Sequence, residues 1–163
     1  MVPENIAFGL IAAAMVGAGF RLVTTKNVVR AALYLAIVLG GVAGIFILLG
    51  AEFVAWVQVL VYIGAIVVLL LFGVMLTRAP IGQEADLDND QRWTAALVAL
   101  AVLGAMVAVL ADAWGTEEIQ FRGVQRTAEV SDSIFGTYVL PFEVISILLL
   151  SALVGAVALA RRD

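Results

Sequence analysis

From Val28 to Leu76 two apolar stretches almost merge, and only Gly50, Ala51 and Glu52 break the run. As one helix it would measure about 73 Å at 1.5 Å per residue, more than twice the hydrocarbon core of a bilayer. The chain must therefore reverse at the break. Gly50 supplies the turn, and Glu52 holds it at the water surface.

Composition agrees with a membrane setting: 64% of residues are hydrophobic and 13% charged, with a mean hydropathy of +1.12. Five apolar blocks are long enough to cross, at about Asn5 to Leu22, Val28 to Gly50, Phe53 to Leu76, Trp93 to Trp114, and Tyr138 to Ala160. The expected fold is all-α, an integral membrane protein of five transmembrane helices forming a single membrane domain over residues 1–163. The first block lacks a basic leader and four spans follow it, so it reads as a retained helix rather than a signal peptide. No room remains for a soluble catalytic domain. The chain has no cysteine and no histidine, which excludes Fe–S ligation, a His-ligated haem and the usual zinc sites on its own residues.

Orientation follows from the basic residues. Arg21, Lys26, Arg30, Arg78, Arg92, Arg161 and Arg162 fall on one side, against Arg122 and Arg126 on the other. The positive-inside rule then places the N-terminus outside and the C-terminus in the cytoplasm. Trp56, Trp93 and Trp114 lie near span ends, where indoles anchor at the interface. Thr77 to Arg92, with Pro80, Gly82, Glu84, Asp86, Asp88 and Asp90, reads as a solvated connector. Gly115 to Gly136 reads as a polar outer loop, without strands, suited to rest on a neighbouring subunit. Thr25 or Asn27 is expected to cap the second helix, and Asp90 or Thr94 the fourth.

Small residues recur at helical spacing: Gly9, Ala13 and Gly17; Ala32, Ala36, Gly40 and Gly44; Ala152, Ala156 and Ala160. Such stripes let backbones approach where burial from water no longer drives association. They serve packing within the chain, packing on partner proteins, or both. Polar groups inside the spans are few. Gln58 and Tyr62 lie four apart, on one face of a regular third helix, and Gly64 and Ala65 thin the helix just beyond. Two readings fit: a chain of waters or a neighbour's polar group, or simply two hydrogen-bonding side chains at a close crossing. Glu143 sits five residues beyond Tyr138 in the last span, either as a structural hydrogen bond or ion pair or as a proton-relevant site. Asp112 is shallower and interfacial.

The segment VYIGAIVVLLLFGVML, with KNVVRAALYL in the second span and IFGTYVLPFEVISILLLSALVG in the last, resembles the J subunit of bacterial NADH:quinone oxidoreductase, respiratory complex I. The mitochondrial counterpart is subunit six. The resemblance implies a non-catalytic membrane-arm subunit of a proton-translocating oxidoreductase in the bacterial inner membrane. It implies no cofactor on this chain, with NADH, FMN, Fe–S clusters and quinone held by partner subunits. It further implies neighbours: the quinone-site subunit, a small carboxylate-bearing antiporter-like subunit and other membrane-arm subunits.

The same resemblance implies a π-bulge just after Tyr62, within Tyr62, Ile63, Gly64, Ala65, Ile66, Val67, Val68, Leu69 and Leu70, that gates a hydrated path between quinone chemistry and proton channels. Gly64 permits such a bulge, but no periodicity shows it. Some family members carry glutamate at Gln58, and an amide cannot exchange a proton near neutral pH, so Gln58 is left as a water-orienting group. Glu143 matches the family's acidic residue in the last helix. The alternatives are a purely structural subunit of the same complex, a variant complex fed by ferredoxin or another carrier, and a stand-alone membrane transporter.

Overall fold

The computed structural model describes residues 2–76, 91–115 and 123–161, and these are helical apart from short connections. Helix α1 runs Val2–Thr24, α2 Val28–Leu48, and the third span Glu52–Leu76 joins three pieces: α3 Glu52–Val57, a π-helix Gln58–Val67, and α4 Val68–Leu76. Helix α5 is Arg92–Trp114, α6 Thr127–Phe135 and α7 Val139–Ala160. Five spans are long and apolar enough to cross a membrane, within a few residues of the blocks read from the sequence.

Local chemistry explains the joints. Asn27 caps α2 by accepting the Arg30 N–H on its Oδ1 at 3.0 Å, while Thr25 Oγ1 accepts the Asn27 N–H at 3.5 Å. At the other end of α2, Gly50 takes φ +72°. Its N–H donates to Ile47 O at 3.0 Å and the Ala51 N–H to Phe46 O at 2.9 Å, the paired bonds of a Schellman cap that only glycine enters without strain. The reversal expected at this glycine is therefore real. The expected caps of α5 need correction. Asp90 lies outside the described residues, and Thr94 is inside the helix, donating its hydroxyl back to Gln91 O at 2.7 Å. A threonine already in helical conformation satisfies its own hydroxyl this way instead of capping.

Helix α2 is the hub. It packs on α1 on one side and on all three pieces of the third span on the other. Its glycines set the closeness: a methyl group on Gly44 would come within 3.1 Å of Ile11 Cδ1, one on Gly41 would collide with Met15, and one on Gly40 would sit 3.8 Å from Ile63 Cδ1. The stripe predicted in α2 is thus used within the chain, and Ala32 is buried. That of α1 faces away: Gly9, Ala13 and Gly17 are exposed, and α1 meets α2 through Ile11, Met15 and buried Ala18. The row Ala152, Ala156 and Ala160 is exposed too.

Helices α5 and α7 stand apart from this bundle. Among the described residues α5 packs on no other helix, and α7 meets only α6. Where the sequence shows only a polar outer loop, the structure has α6, whose Val130, Ser131 and Ile134 form its half-buried side and which touches α3. Phe135 and Phe142 meet edge to face with centroids 5.1 Å apart, joining α6 to α7. Gln125 forms an isolated parallel bridge with Ala51. This places the α2–α3 turn beside the residues that lead into α6.

Candidate functional site in the third span

Ten consecutive residues, Gln58–Val67, adopt π geometry, flanked by regular α-helix on both sides. The expected stretch, Tyr62 to Leu70, overlaps this segment but is displaced: the π turns begin at Gln58, and Val68, Leu69 and Leu70 are already α-helical. The side chains offer a reason. Val59, Val61, Ile63, Ile66 and Val67 are β-branched, which crowds an α-turn, whereas Val68–Leu76 is rich in leucine, a good helix former. Gly64 sits inside the segment with room to spare, since a methyl group there would lie 3.5 Å from Val59 O, the carbonyl five residues back.

The change of register decides which side chains face inward. Nine residues are two and a half α-turns, so Gln58 and Val67 would point to opposite sides of a regular α-helix. With i to i+5 bonding, at roughly 4.4 residues per turn, nine residues make about two turns and the two align. Both are in fact buried, Gln58 at 7% exposure and Val67 at 3%. Between them Ile63 points to Gly40 of α2.

Tyr62 behaves otherwise. At 46% exposure it does not share the face of Gln58, which corrects the expectation that residues four apart stay together here. The α-helical spacing rule fails because at roughly 4.4 residues per turn the fourth residue lags a full turn by about 30°, where in an α-helix it leads by about 40°. The sequence reading missed the Gly40–Ile63 contact, and its only trace was Gly40 itself in the small-residue stripe of α2.

Gln58 is the one polar residue among the buried described residues, and no buried side-chain nitrogen or oxygen among them lacks a partner. Ala65, Ile66 and Gly64 are exposed. Glu143 is exposed on α7, just past Pro141 in its first turn, and among the described residues α7 does not touch the third span. The structure therefore does not bring Glu143 and Gln58 together. Ser146 and Ser151, nearby on α7, return their hydroxyls to Phe142 O and Ile147 O at 2.8 Å each. Trp56, Trp93 and Trp114 are exposed near the ends of their spans.

No group of three or more His, Cys, Asp or Glu among the described residues is arranged to hold a metal ion. The donor set does not fit Fe–S, haem or zinc ligation, so no step of chemistry is routed through such a centre on this chain. An open apolar groove of about 280 Å³ on α5, along Ala105, Met106, Val109 and Leu110, offers no hydrogen-bonding side chain. What the site can do is conformational: a helix segment with an extra residue can exchange that residue for a regular turn.

Comparison with known proteins addresses the same region. The family model of NADH-ubiquinone/plastoquinone oxidoreductase chain 6 matches residues 18–159. F(420)H(2) dehydrogenase subunit J of Methanosarcina mazei is 41% identical over 164 residues, covering 98% of this chain and 92% of that protein. NAD(P)H-quinone oxidoreductase chain 6 of Synechocystis sp. is 38% identical over 166 residues, covering 98% and 82%. The chloroplastic NAD(P)H-quinone oxidoreductase subunit 6 of Chara vulgaris is 33% identical over 167 residues, covering 96% and 93%.

Proposed function

This chain belongs to the NADH-ubiquinone/plastoquinone oxidoreductase chain 6 family, the membrane subunits of quinone oxidoreductase complexes, and on that footing we propose that its third span is the gate of a hydrated proton path. The observation that carries the reading is the π segment Gln58–Val67, held against α2 by Gln58, Ile63 and Val67. Trading it for α-turns would rotate the residues beyond it by about 160°, and within it would swing Ile63 off the α2 side while turning Tyr62 toward it. That replaces an aliphatic group with a hydroxyl near the buried amide of Gln58. A wetter path results, and the reverse rotation dries it.

A gate has a physical purpose. Each proton moved against the membrane potential stores about 2.3 kcal/mol per 100 mV, and a permanently open water chain would dissipate it. In this reading the chain is one non-catalytic membrane domain with its N-terminus outside and C-terminus in the cytoplasm of a bacterial plasma membrane. Quinone reduction takes place on a partner, and NADH, FMN and Fe–S clusters belong to other subunits. The quinone-site subunit and a small carboxylate-bearing antiporter-like subunit are its neighbours, and the unpacked faces of α5 and α7 are where such neighbours would lie. The relatives' names carry two electron donors, F(420)H(2) and NAD(P)H, which fits a subunit remote from electron input.

Gly64→Leu or Gly64→Val tests the gate. The site has space for a first side-chain carbon, so assembly is expected to hold while the backbone loses freedom to exchange registers. Penalising one register by about 1 kcal/mol changes the ratio of states roughly fivefold, and proton translocation per quinone reduced should fall accordingly. Normal pumping and normal quinone reduction in a fully assembled mutant would show that this segment is structural only.

A further inference from the structure

We propose that the segment of residues 123–135, which leads into the fifth span, is a strap that pins the hairpin end of the third span, confining any change of helical register to the residues beyond Gln58. The proposal rests on the gating reading for its consequence, but the strap itself stands on separate contacts. Gly50, buried and at φ +72°, turns its carbonyl out of the α2 ladder, and the Gln125 N–H donates to it at 3.0 Å. Ala51 and Gln125 pair as a parallel bridge. Gly123, at φ +94°, bends the chain just before this bridge. Immediately after it, α6 lays its Val130, Ser131 and Ile134 side down and contacts α3. The Phe135–Phe142 ring pair then ties α6 to α7. The strap therefore runs from the membrane-embedded α7 to the first turn of the third span.

The mechanical consequence follows from where it attaches. A helix free at both ends can accommodate an inserted or removed residue by rotating either end. Pinned at Gly50 and Ala51, and carried through six residues of regular α3, the third span has one stationary end. Rotation then falls on the later π turns and on α4. A directed motion needs such a fixed end, because a helix that turned as a whole would leave the relative positions along it unchanged.

The chain has no cysteine of its own, so Ala51→Cys with Gln125→Cys, introduced into the assembled complex, supply the only thiols that this subunit can bridge internally. Bridge partners lie roughly 4.8 Å apart, within the span a disulfide closes. Oxidation is expected to give near-complete disulfide with quinone reduction and proton translocation within about twofold of the reduced form, since a strap that never opens costs nothing to lock. Failure of the disulfide to form would show that the bridge is absent. Turnover lost on oxidation and regained on reduction would show that the connection must open. Either result overturns the proposal.

If the double variant does not assemble, Gln125→Pro is compared with Gln125→Ala by hydrogen exchange in the complex. The proline variant alone lacks the N–H donor, and exchange at the amides of Phe53 to Val57 should rise about tenfold in it and stay unchanged in the alanine variant. Equal exchange in the two contradicts the strap. A failed gate is recognised separately, by Gly64 variants that pump normally, and would leave the disulfide result standing.

Discussion

Gly40→Phe is expected to strip the third span from the bundle and lower the assembled subunit to about a fifth of wild type or less, because overpacking a filled contact costs about 1–3 kcal/mol and 1.4 kcal/mol is tenfold. A methyl group at this glycine would already lie 3.8 Å from Ile63 Cδ1, which is ordinary contact. There is space for one carbon and none for a ring. Helix α2 cannot retreat from the third span, because its Gly41 and Gly44 hold Met15 and Ile11 of α1 just as closely on the other side. Gly40→Ala should therefore assemble normally. In the Gly40→Phe background, Ile63→Ala should recover part of the lost assembly and Tyr62→Ala none, since only Ile63 points at the new ring. The amount of subunit retained in the purified complex measures all four variants, and the non-additivity of the rescue reports direct contact.

Gln58→Leu is expected to do the opposite: assembly stays normal, or improves slightly, while proton translocation per quinone reduced falls by about fivefold, as a shift near 1 kcal/mol between states would give. Leucine fills nearly the same volume as glutamine, and exchanging a buried polar group for an apolar one of similar shape is close to neutral for a fold. At 7% exposure the amide contributes little to the lipid face. What is lost is its ability to donate and accept hydrogen bonds at the start of the π segment. A purely structural subunit would not register that loss in coupling. Measuring subunit content and proton-to-quinone ratio on the same preparation separates the two roles.

The spans and the hairpin were legible in the sequence because both are fixed by short-range physics. Apolar length against bilayer thickness gives the crossings, and a glycine in a break too short for a loop gives the reversal at Gly50. The face of the third span was not legible. Any reading by residue spacing presupposes 3.6 residues per turn, so it paired Gln58 with Tyr62, whereas in the π turns it is Ile63 that reaches α2 and Tyr62 that is exposed. The resemblance to the family supplied a bulge within Tyr62 to Leu70, and the π turns Gln58–Val67 share Tyr62 to Val67 with that stretch.

Small-residue stripes were half informative. They mark where a helix can approach, not whether a neighbour from the same chain does, and so the stripe of α2 is filled while those of α1 and α7 are bare. Helix α6 escaped notice because a nine-residue segment with four apolar positions, Ala128, Val130, Ile134 and Phe135, is too short to give a clear periodicity. Its signal lay in Val130 and Ile134, four apart, with Glu129 and Asp132 between polar turns. Glu143 sits on a helix that, among the described residues, packs only on α6, away from the bundle that holds the π segment.

Which residue of the third span faces Gly40 distinguishes π from α register, and cross-linking in this cysteine-free chain reads it directly. Gly40→Cys is combined with either Ile63→Cys or Tyr62→Cys in the assembled complex, and a short thiol-specific bifunctional reagent is applied at rest and during quinone turnover. At rest the 40–63 pair should bridge readily and the 40–62 pair poorly, as π geometry requires; turnover should raise the 40–62 product as the segment passes through α-turns. A 40–62 product that dominates at rest, or a ratio of the two products that turnover leaves unchanged, would contradict a π-to-α gate in this span.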